Sequence, residues 1–369
     1  MASYQKRGKT WQYTVSNYVD GKLRPIRKGG FKTKKEAQAE ALKVELDLQN
    51  GLKPASKESF ERYFEEWYKL YKKDRDKNTI RAYRETHTKI KEHFGDKAIQ
   101  SITKRDYKIF ISKLGEDRAK ETIRKVNVHI RGCVQDAIDE GIIRSDFTRK
   151  VEISGSVPAK KAEEKYLNYT EGELLIQETI KRLDNGLSYY VILLGLTSGM
   201  RFSEMMGLQR SDFDFKDNLI HVNKKWGYTK NMSDGFGATK TENSKRTIKM
   251  DKVTMQIFRD LFKRTPPNIH QLVFYAPTSK YKVISNAAVN KSLKTLLKHL
   301  RIDTNLTIHG LRHTHASILI YKKVSIYYIS ERLGHADINT TLTYYAHLLN
   351  EMRKTDESTT ITTIENMII

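Results

Sequence analysis

His309 and Arg312 lie three residues apart in His309-Gly310-Leu311-Arg312-His313-Thr314-His315, which puts both on one face of a helix. Leu333-Gly334-His335 follows, and then Tyr344-Tyr345-Ala346-His347. Upstream, Thr197-Ser198-Gly199-Met200-Arg201-Phe202-Ser203-Glu204-Met205-Met206-Gly207-Leu208 adds another arginine, with a carboxylate three residues later. A phenol can act as a nucleophile, and cationic donors beside it stabilise charge that builds on phosphoryl oxygens. Guanidinium forks suit that charge because they are planar, permanently charged and bidentate. Arg201 and Arg312 are therefore expected to clamp a phosphate. A lone arginine is more often a surface or salt-bridged residue, so the assignment rests on the combination. Glu204 is expected to hold the Arg201 guanidinium rather than to touch an anion, since like charges repel. His309 is suited to bond the phosphate or to accept the phenolic proton, and His335 to donate to a non-bridging oxygen. His313 lies four residues after His309, a spacing two zinc ligands can share. No glutamate follows His309 as in a metalloprotease helix, and an arginine so near would be repelled by a metal. His313 and His315 are thus read as packing or supporting residues, with no metal or other cofactor expected.

The elements that must position these residues occupy a basic chain of 369 residues, with 67 Lys+Arg against 44 Asp+Glu and a net charge of +23. Such length favours two or three domains, and such charge favours a polyanionic partner, nucleic acid above all. The single cysteine, Cys133, excludes an internal disulfide framework and a cysteine zinc site. It lies beside the stripe Val126, Ile130, Val134 and Ile138, and is read as a packing residue. No apolar run approaches the ~20 residues needed to cross a bilayer, and the start lacks a signal peptide's apolar stretch. A cytoplasmic protein with no membrane partner is the expectation.

Residues 1–52 read as a small unit. Trp11, Tyr13 and Val15 alternate as on a strand, Asp20-Gly21 marks a turn, and Thr33 with Glu36 forms a capping box. Ala37, Ala41, Val44 and Leu48 then give a helical stripe. Lys6, Arg7, Lys9, Lys22, Arg24, Arg27, Lys28 and Lys32 are its candidate DNA contacts. Residues 58–150 read as all-helical, with stripes Phe60, Phe64, Trp67, Tyr71 and Tyr83, His87, Ile90, Phe94. Thr103 with Asp106 opens a third helix, and Thr122 is expected to cap a fourth. Lys77, Arg81, Arg84, Lys120, Arg124 and Lys125 are candidate phosphate contacts there. A flexible linker is expected at 151–164, then a larger unit at 165–350. In that unit a helix starts near Thr170, Tyr189–Gly195 is a buried run, and Leu219–Val222 and Arg246–Met250 are strands. Past 350, Ile361, Ile364 and Ile368 form an apolar stripe that should pack on something.

In combination these spaced motifs resemble the tyrosine recombinases, the phage-type or lambda-type integrases, over most of the chain. The resemblance implies an α+β, multidomain protein. It would join an arm-binding domain of three strands and a helix, an all-helical core-binding (SAM-like) domain, and a mostly helical catalytic domain with a small β-sheet. It implies that Arg201, Lys240, His309, Arg312 and His335 act with a tyrosine nucleophile. Lys240, in Ala238-Thr239-Lys240-Thr241, takes the place of the mobile hairpin lysine that protonates the leaving 5′-oxygen. The pattern tyrosine, any residue, histidine selects Tyr345 as nucleophile, with Tyr344 second. The implied reaction forms a 3′-phosphotyrosine without metal or ATP. It would integrate and excise a mobile element in a low-GC Gram-positive host. The implied partners are double-stranded DNA at core and arm sites, a homo-tetramer on that DNA, and an excision factor as a further candidate. The tail 351–369 would dock on a neighbouring protomer. Two other readings stay open at this point. One is a topoisomerase IB-like enzyme. The other is a non-catalytic basic regulator, which explains the charge but not the ordered cations and tyrosine.

Overall fold

The computed structural model describes residues 2–19, 21–49, 58–158, 165–232, 234–238 and 244–368; the side chains of Val19 and of 346–356 are excepted. The chain separates into two units, Met1–Ala159 and Lys160–Ile369. The architecture is α+β.

In the first unit β1 (Ser3–Arg7), β2 (Thr10–Val15), β3 (Tyr18–Val19), β4 (Lys22–Leu23) and β5 (Ile26–Phe31) precede α1 (Lys34–Gln49). The main sheet is antiparallel in the order β1-β2-β5, and β3 and β4 pair with each other; Asp20 of the expected turn lies outside the described residues. Tyr13 and Val15 are buried against Ala37 and Ala41 of the helix stripe, so alternation decides which face of the sheet stays open. Register puts Thr14 opposite Arg27 and Tyr13 opposite Lys28. Arg27 therefore belongs to the open face, whereas Lys28 is on the helix side, where it bonds Glu40 at 3.0 Å. Thr33 caps α1 by accepting from the Glu36 N–H.

Four helices follow: α2 (Phe60–Tyr71), α3 (Lys77–Phe94), α4 (Lys104–Gly115) and α5 (Lys120–Asp139). Phe60, Phe64, Trp67, Ile90, Phe94, Phe110, Ile130 and Cys133 share their core. Two expectations are corrected here. Tyr71 is exposed, because its hydroxyl reaches out to Glu140, and Tyr68 takes the buried place. Thr122 is not a cap, because α5 already begins at Lys120. The Thr103–Asp106 capping box is formed. The expected linker is docked in its first half: Ser156 N–H donates to the Gly115 carbonyl, and Val151 and Ile153 pack on the helical core. Residues 159–164 lie outside the described residues.

The second unit begins with α6 (Tyr169–Lys181), α7 (Leu187–Ser198) and α8 (Phe202–Met206). Asn168, not Thr170, caps α6, since its side chain accepts from Glu171 N–H while that carboxylate accepts in return. The apolar run is α7, buried nearly all round and packed against neighbouring helices. Next come β6 (Phe213–Asp214), β7 (Leu219–Val222), β8 (Lys224–Trp226), β9 (Phe236–Ala238) and β10 (Arg246–Lys249). The sheet order is β10-β7-β6, with β8-β9 a separate hairpin. Five helices complete the unit: α9 (Lys252–Arg264), α10 (Asn286–His299), α11 (Ile308–Tyr321), α12 (Ile326–Leu333) and α13 (Ile338–Ile368). Among the described residues no helix is long and apolar enough to cross a membrane.

Candidate active site

Three backbone turns hold the cationic cluster. α7 ends on Gly199 at φ +68, a left-handed conformation costly to other residues, and its carbonyl accepts from Arg312 Nη1 at 2.8 Å. A Cβ on Gly199 would stand 2.7 Å from His315 Cδ2 and 2.8 Å from Leu333 Cδ2, so packing also requires glycine there. α12 ends on Gly334, again left-handed, and its carbonyl accepts from Arg201 Nη2 at 3.2 Å. The third turn is the start of α8, where Arg201 is the capping position and Glu204 accepts its backbone N–H at 3.0 Å.

Glu204 is buried and bonds Arg201 Nη1 at 2.7 Å through Oε1. Its Oε2 also receives Arg246 Nη2 at 3.0 Å. Burial pushes this carboxyl up, but Arg246 and Arg201 outweigh it and the result lies below the ordinary carboxylate value. Arg246, the first residue of β10, has a side chain only 6% exposed and also donates to the Arg332 carbonyl at 2.7 Å. Arg332 in turn donates to His315 Nε2, the Lys249 carbonyl and the Thr197 carbonyl. His315 gives its Nδ1–H to the Leu196 carbonyl at 2.8 Å and is held uncharged, down to about 3, by burial and then Arg332. This brace ties β10, α12, α7 and α11 together behind the two guanidiniums. Spacing alone points to neither Arg246 nor Arg332, because their partners are remote in sequence.

Arg312 is 3% exposed, and its Nη2 has no hydrogen-bond partner among the described residues. Burial and then repulsion from Arg201 press it down to about 9. It stays charged at neutral pH, and an anion seated beside both guanidiniums would relieve the strain. His309 lies below its ordinary value through burial, Arg312 and Arg201. His335 is pushed to about 4 by burial and by the same two arginines first. Its Nδ1 is 2.7 Å from the hydroxyl of Thr341, a buried residue to which no motif in the sequence points. When that hydroxyl donates, Nδ1 is occupied and Nε2 carries the proton, free to be given to an oxygen.

The two tyrosines part company. Tyr345 is 2% exposed, with its hydroxyl 2.9 Å from His313 Nδ1, and Arg312 acts on it electrostatically. Burial raises this phenol and Arg312 pulls it back only in part. Tyr344 is 53% exposed. Thus Arg201, Glu204, His309, Arg312, His335 and Tyr345 form one electrostatic cluster, and His313 joins it. Lys240 lies outside the described residues, in the segment between β9 and β10. The His347 side chain is likewise not described.

In the first unit every candidate DNA contact is exposed: Lys6, Arg7, Lys9, Lys22, Arg24, Arg27, Lys28, Lys32, Lys77, Arg81, Arg84, Lys120, Arg124 and Lys125. Lys28, Arg81 and Arg124 spend their charge on Glu40, Glu85 and Glu121. One converging set of metal-ligand atoms exists among the described residues, Glu61, Glu65 and His87, and it is already engaged by Lys69, Lys91 and mutual bonding.

Comparison with known proteins agrees with this chemistry. The phage integrase family profile matches residues 165–352, over half of the chain. Profiles for an arm DNA-binding domain and for the N-terminal SAM-like domain of phage integrases match residues 2–48 and 59–115. The integrase of Staphylococcus phage L54a is 27% identical over 266 residues, 66% of this chain and 75% of that protein. The fold is similar to that of the Tn1549 transposon integrase in complex with a circular intermediate DNA, with a TM-score of 0.65 at 18% identity, covering 80% of this chain and 99% of that one. It is also similar to a lambda integrase tetramer bound to a Holliday junction, with a TM-score of 0.57 at 16% identity, covering 90% of this chain and 95% of that one. A buried arginine beside a partly exposed one, a carboxylate brace and a buried phenol therefore coincide with the matched region, and the chain belongs to the phage integrase family, the tyrosine recombinases that cleave and rejoin DNA through a 3′-phosphotyrosine.

Proposed function

We propose that this chain is the site-specific integrase of a mobile element, with Tyr345 as nucleophile and Arg201 and Arg312 as its phosphate clamp. One observation carries the reading: the Tyr345 phenol is buried and under the field of Arg312, whose Nη2 lacks a partner among the described residues, while Tyr344 is exposed. In this reading the phenolic oxygen attacks phosphorus, the guanidiniums take up the charge on the non-bridging oxygens, and His335 adds a neutral donor. His309 lines the same anion site. Lys240 protonates the departing 5′-oxygen, a role that rests on its motif alone. The new ester retains the energy of the broken linkage, so another 5′-hydroxyl can reverse the step without ATP.

The same reading divides the chain into an arm-binding domain (1–52), a core-binding domain (58–150), a linker, a catalytic domain (165–350) and a tail. The open face of the arm sheet, with Arg7 and Arg27 beside Gln5, Gln12 and Thr14, suits a DNA groove. Lys77, Arg84, Lys120 and Lys125 on the helical unit suit phosphates. Exchange of both strands of two duplexes needs four such sites, so the working form is a homo-tetramer on DNA in the bacterial cytoplasm. An excision factor would set direction.

A nicked suicide substrate tests the chemistry, because loss of the short fragment traps the covalent adduct. Tyr345→Phe is expected to bind DNA and form no adduct, and Tyr344→Phe to keep it. An adduct that persists in Tyr345→Phe and vanishes in Tyr344→Phe moves the nucleophile by one residue.

A further inference from the structure

We propose that His313 is the group that takes the phenolic proton of Tyr345 as its oxygen attacks phosphorus; this rests on Tyr345 being the nucleophile. A general base must lie within hydrogen-bond reach of the proton it removes. His313 Nδ1 stands 2.9 Å from the Tyr345 hydroxyl. His309, the histidine three residues before Arg312, has its ring 5.2 Å from that of His313, edge to face, one turn back on α11. The histidine nearest the arginine in sequence is therefore the one that meets the reacting oxygen.

The surroundings keep this ring able to accept. Burial, then His309, Arg312 and Lys165, hold it down to about 4, so it is uncharged at neutral pH with a free lone pair. His309 and Arg312 face it from its own helix, Tyr344 and Tyr345 from α13, Lys165 from the segment before α6, and His335 from the turn after α12. For Nδ1 to accept, Nε2 must carry the ring proton. A phosphodiester seated between Arg201 and Arg312 brings negative charge into this group of cations and raises the proton affinity of the ring when the proton must move.

The step balances as follows. The Tyr345 O–H bond breaks while the O–P bond forms, and the proton passes to Nδ1 to give an imidazolium. The P–O5′ bond breaks, and the leaving oxygen takes a proton from a separate acid, Lys240 in the reading above. On rejoining, a 5′-hydroxyl attacks phosphorus and gives its proton back to that same acid, the P–O bond to the phenol breaks, and Nδ1 returns its proton to the departing phenolic oxygen.

The test measures the rate of covalent adduct formation on the nicked substrate for His313→Ala and His313→Asn. Each is compared with Tyr345 intact and with 3,5-difluorotyrosine at that position. Asparagine presents an acceptor near the place of Nδ1 but cannot take the proton. Both variants are expected to bind uncleaved DNA normally and to cleave about 10²–10⁴-fold more slowly. The more acidic fluorinated phenol, which needs less base help, is expected to restore more of the rate in the variants than it adds to the parent. A parental rate in His313→Asn, or equal effects of fluorination in all three proteins, overturns the proposal and leaves a positioning role. Should His313→Ala fail to bind DNA, His313→Asn alone decides. An adduct that survives Tyr345→Phe sinks the nucleophile assignment instead, so the two failures are distinguishable.

Discussion

The arginines and histidines of the site are legible in the sequence because the chemistry admits few substitutes for a fixed guanidinium or an imidazole. Their supports are not, because a support is defined by its partner. Thr341 reads as any helical threonine until its hydroxyl is found 2.7 Å from His335 Nδ1. Arg246 reads as the first residue of a strand, yet it shares Glu204 with Arg201. His313 reads as a packing or supporting residue, and only the folded chain shows that it meets the phenol. Thr341 gives the clearest consequence. Thr341→Val keeps the shape of the side chain and removes the hydroxyl that, by donating to Nδ1, would select the His335 tautomer with the proton on Nε2. Cleavage of the nicked substrate is expected to slow by roughly tenfold, the loss of one hydrogen bond's worth of stabilisation, with DNA affinity unchanged. A parental rate in that variant would mean that His335 presents Nε2–H without help from Thr341.

Helices and strands are largely legible because burial imposes a period, as α7 and the stripe of α5 show. Their ends are less so. Asn168 precedes the expected start of α6, and α5 begins before Thr122, since a cap depends on backbone angles that several polar residues can satisfy. The ends nevertheless matter most here. The carbonyls that hold Arg312 and Arg201 belong to Gly199 and Gly334, the left-handed stops of α7 and α12. In Gly199→Ala the backbone keeps a disfavoured conformation at about 1–2 kcal/mol, and the new methyl crowds His315 and Leu333 at a further cost of about 1–3 kcal/mol. Denaturant unfolding of the variant is expected to show a loss of about 2–5 kcal/mol, together with slower cleavage as the Arg312 anchor shifts. A change below about 1 kcal/mol would show that the turn relaxes freely.

At the scale of the whole molecule, two properties pull against each other. A net charge of +23 drives copies of the chain apart in free solution. Yet α13 runs on to Ile368 and presents Ile361, Ile364 and Ile368 at 59%, 51% and 78% exposure, an apolar stripe on one helical face. Isolated apolar residues on a surface need no explanation, but a stripe at helical spacing does. On the proposed reading DNA would reconcile the two, because phosphates neutralise the repulsion and would bring copies close enough for one tail to seat on another. Assembly is thus expected only on DNA and to weaken with salt. Replacing Ile361, Ile364 and Ile368 together by serine removes contacts worth about 1.5–3 kcal/mol each when fully buried. Multimers on attachment-site DNA, counted by native gel or mass photometry, are expected to form on the order of 100-fold more weakly or worse. Single-site adduct formation on the nicked substrate should persist, since the stripe is separate from the residues around Arg312. Multimers that form undiminished in the triple variant would show that the stripe does not hold copies together, and the contacts that join them would have to be sought on another surface.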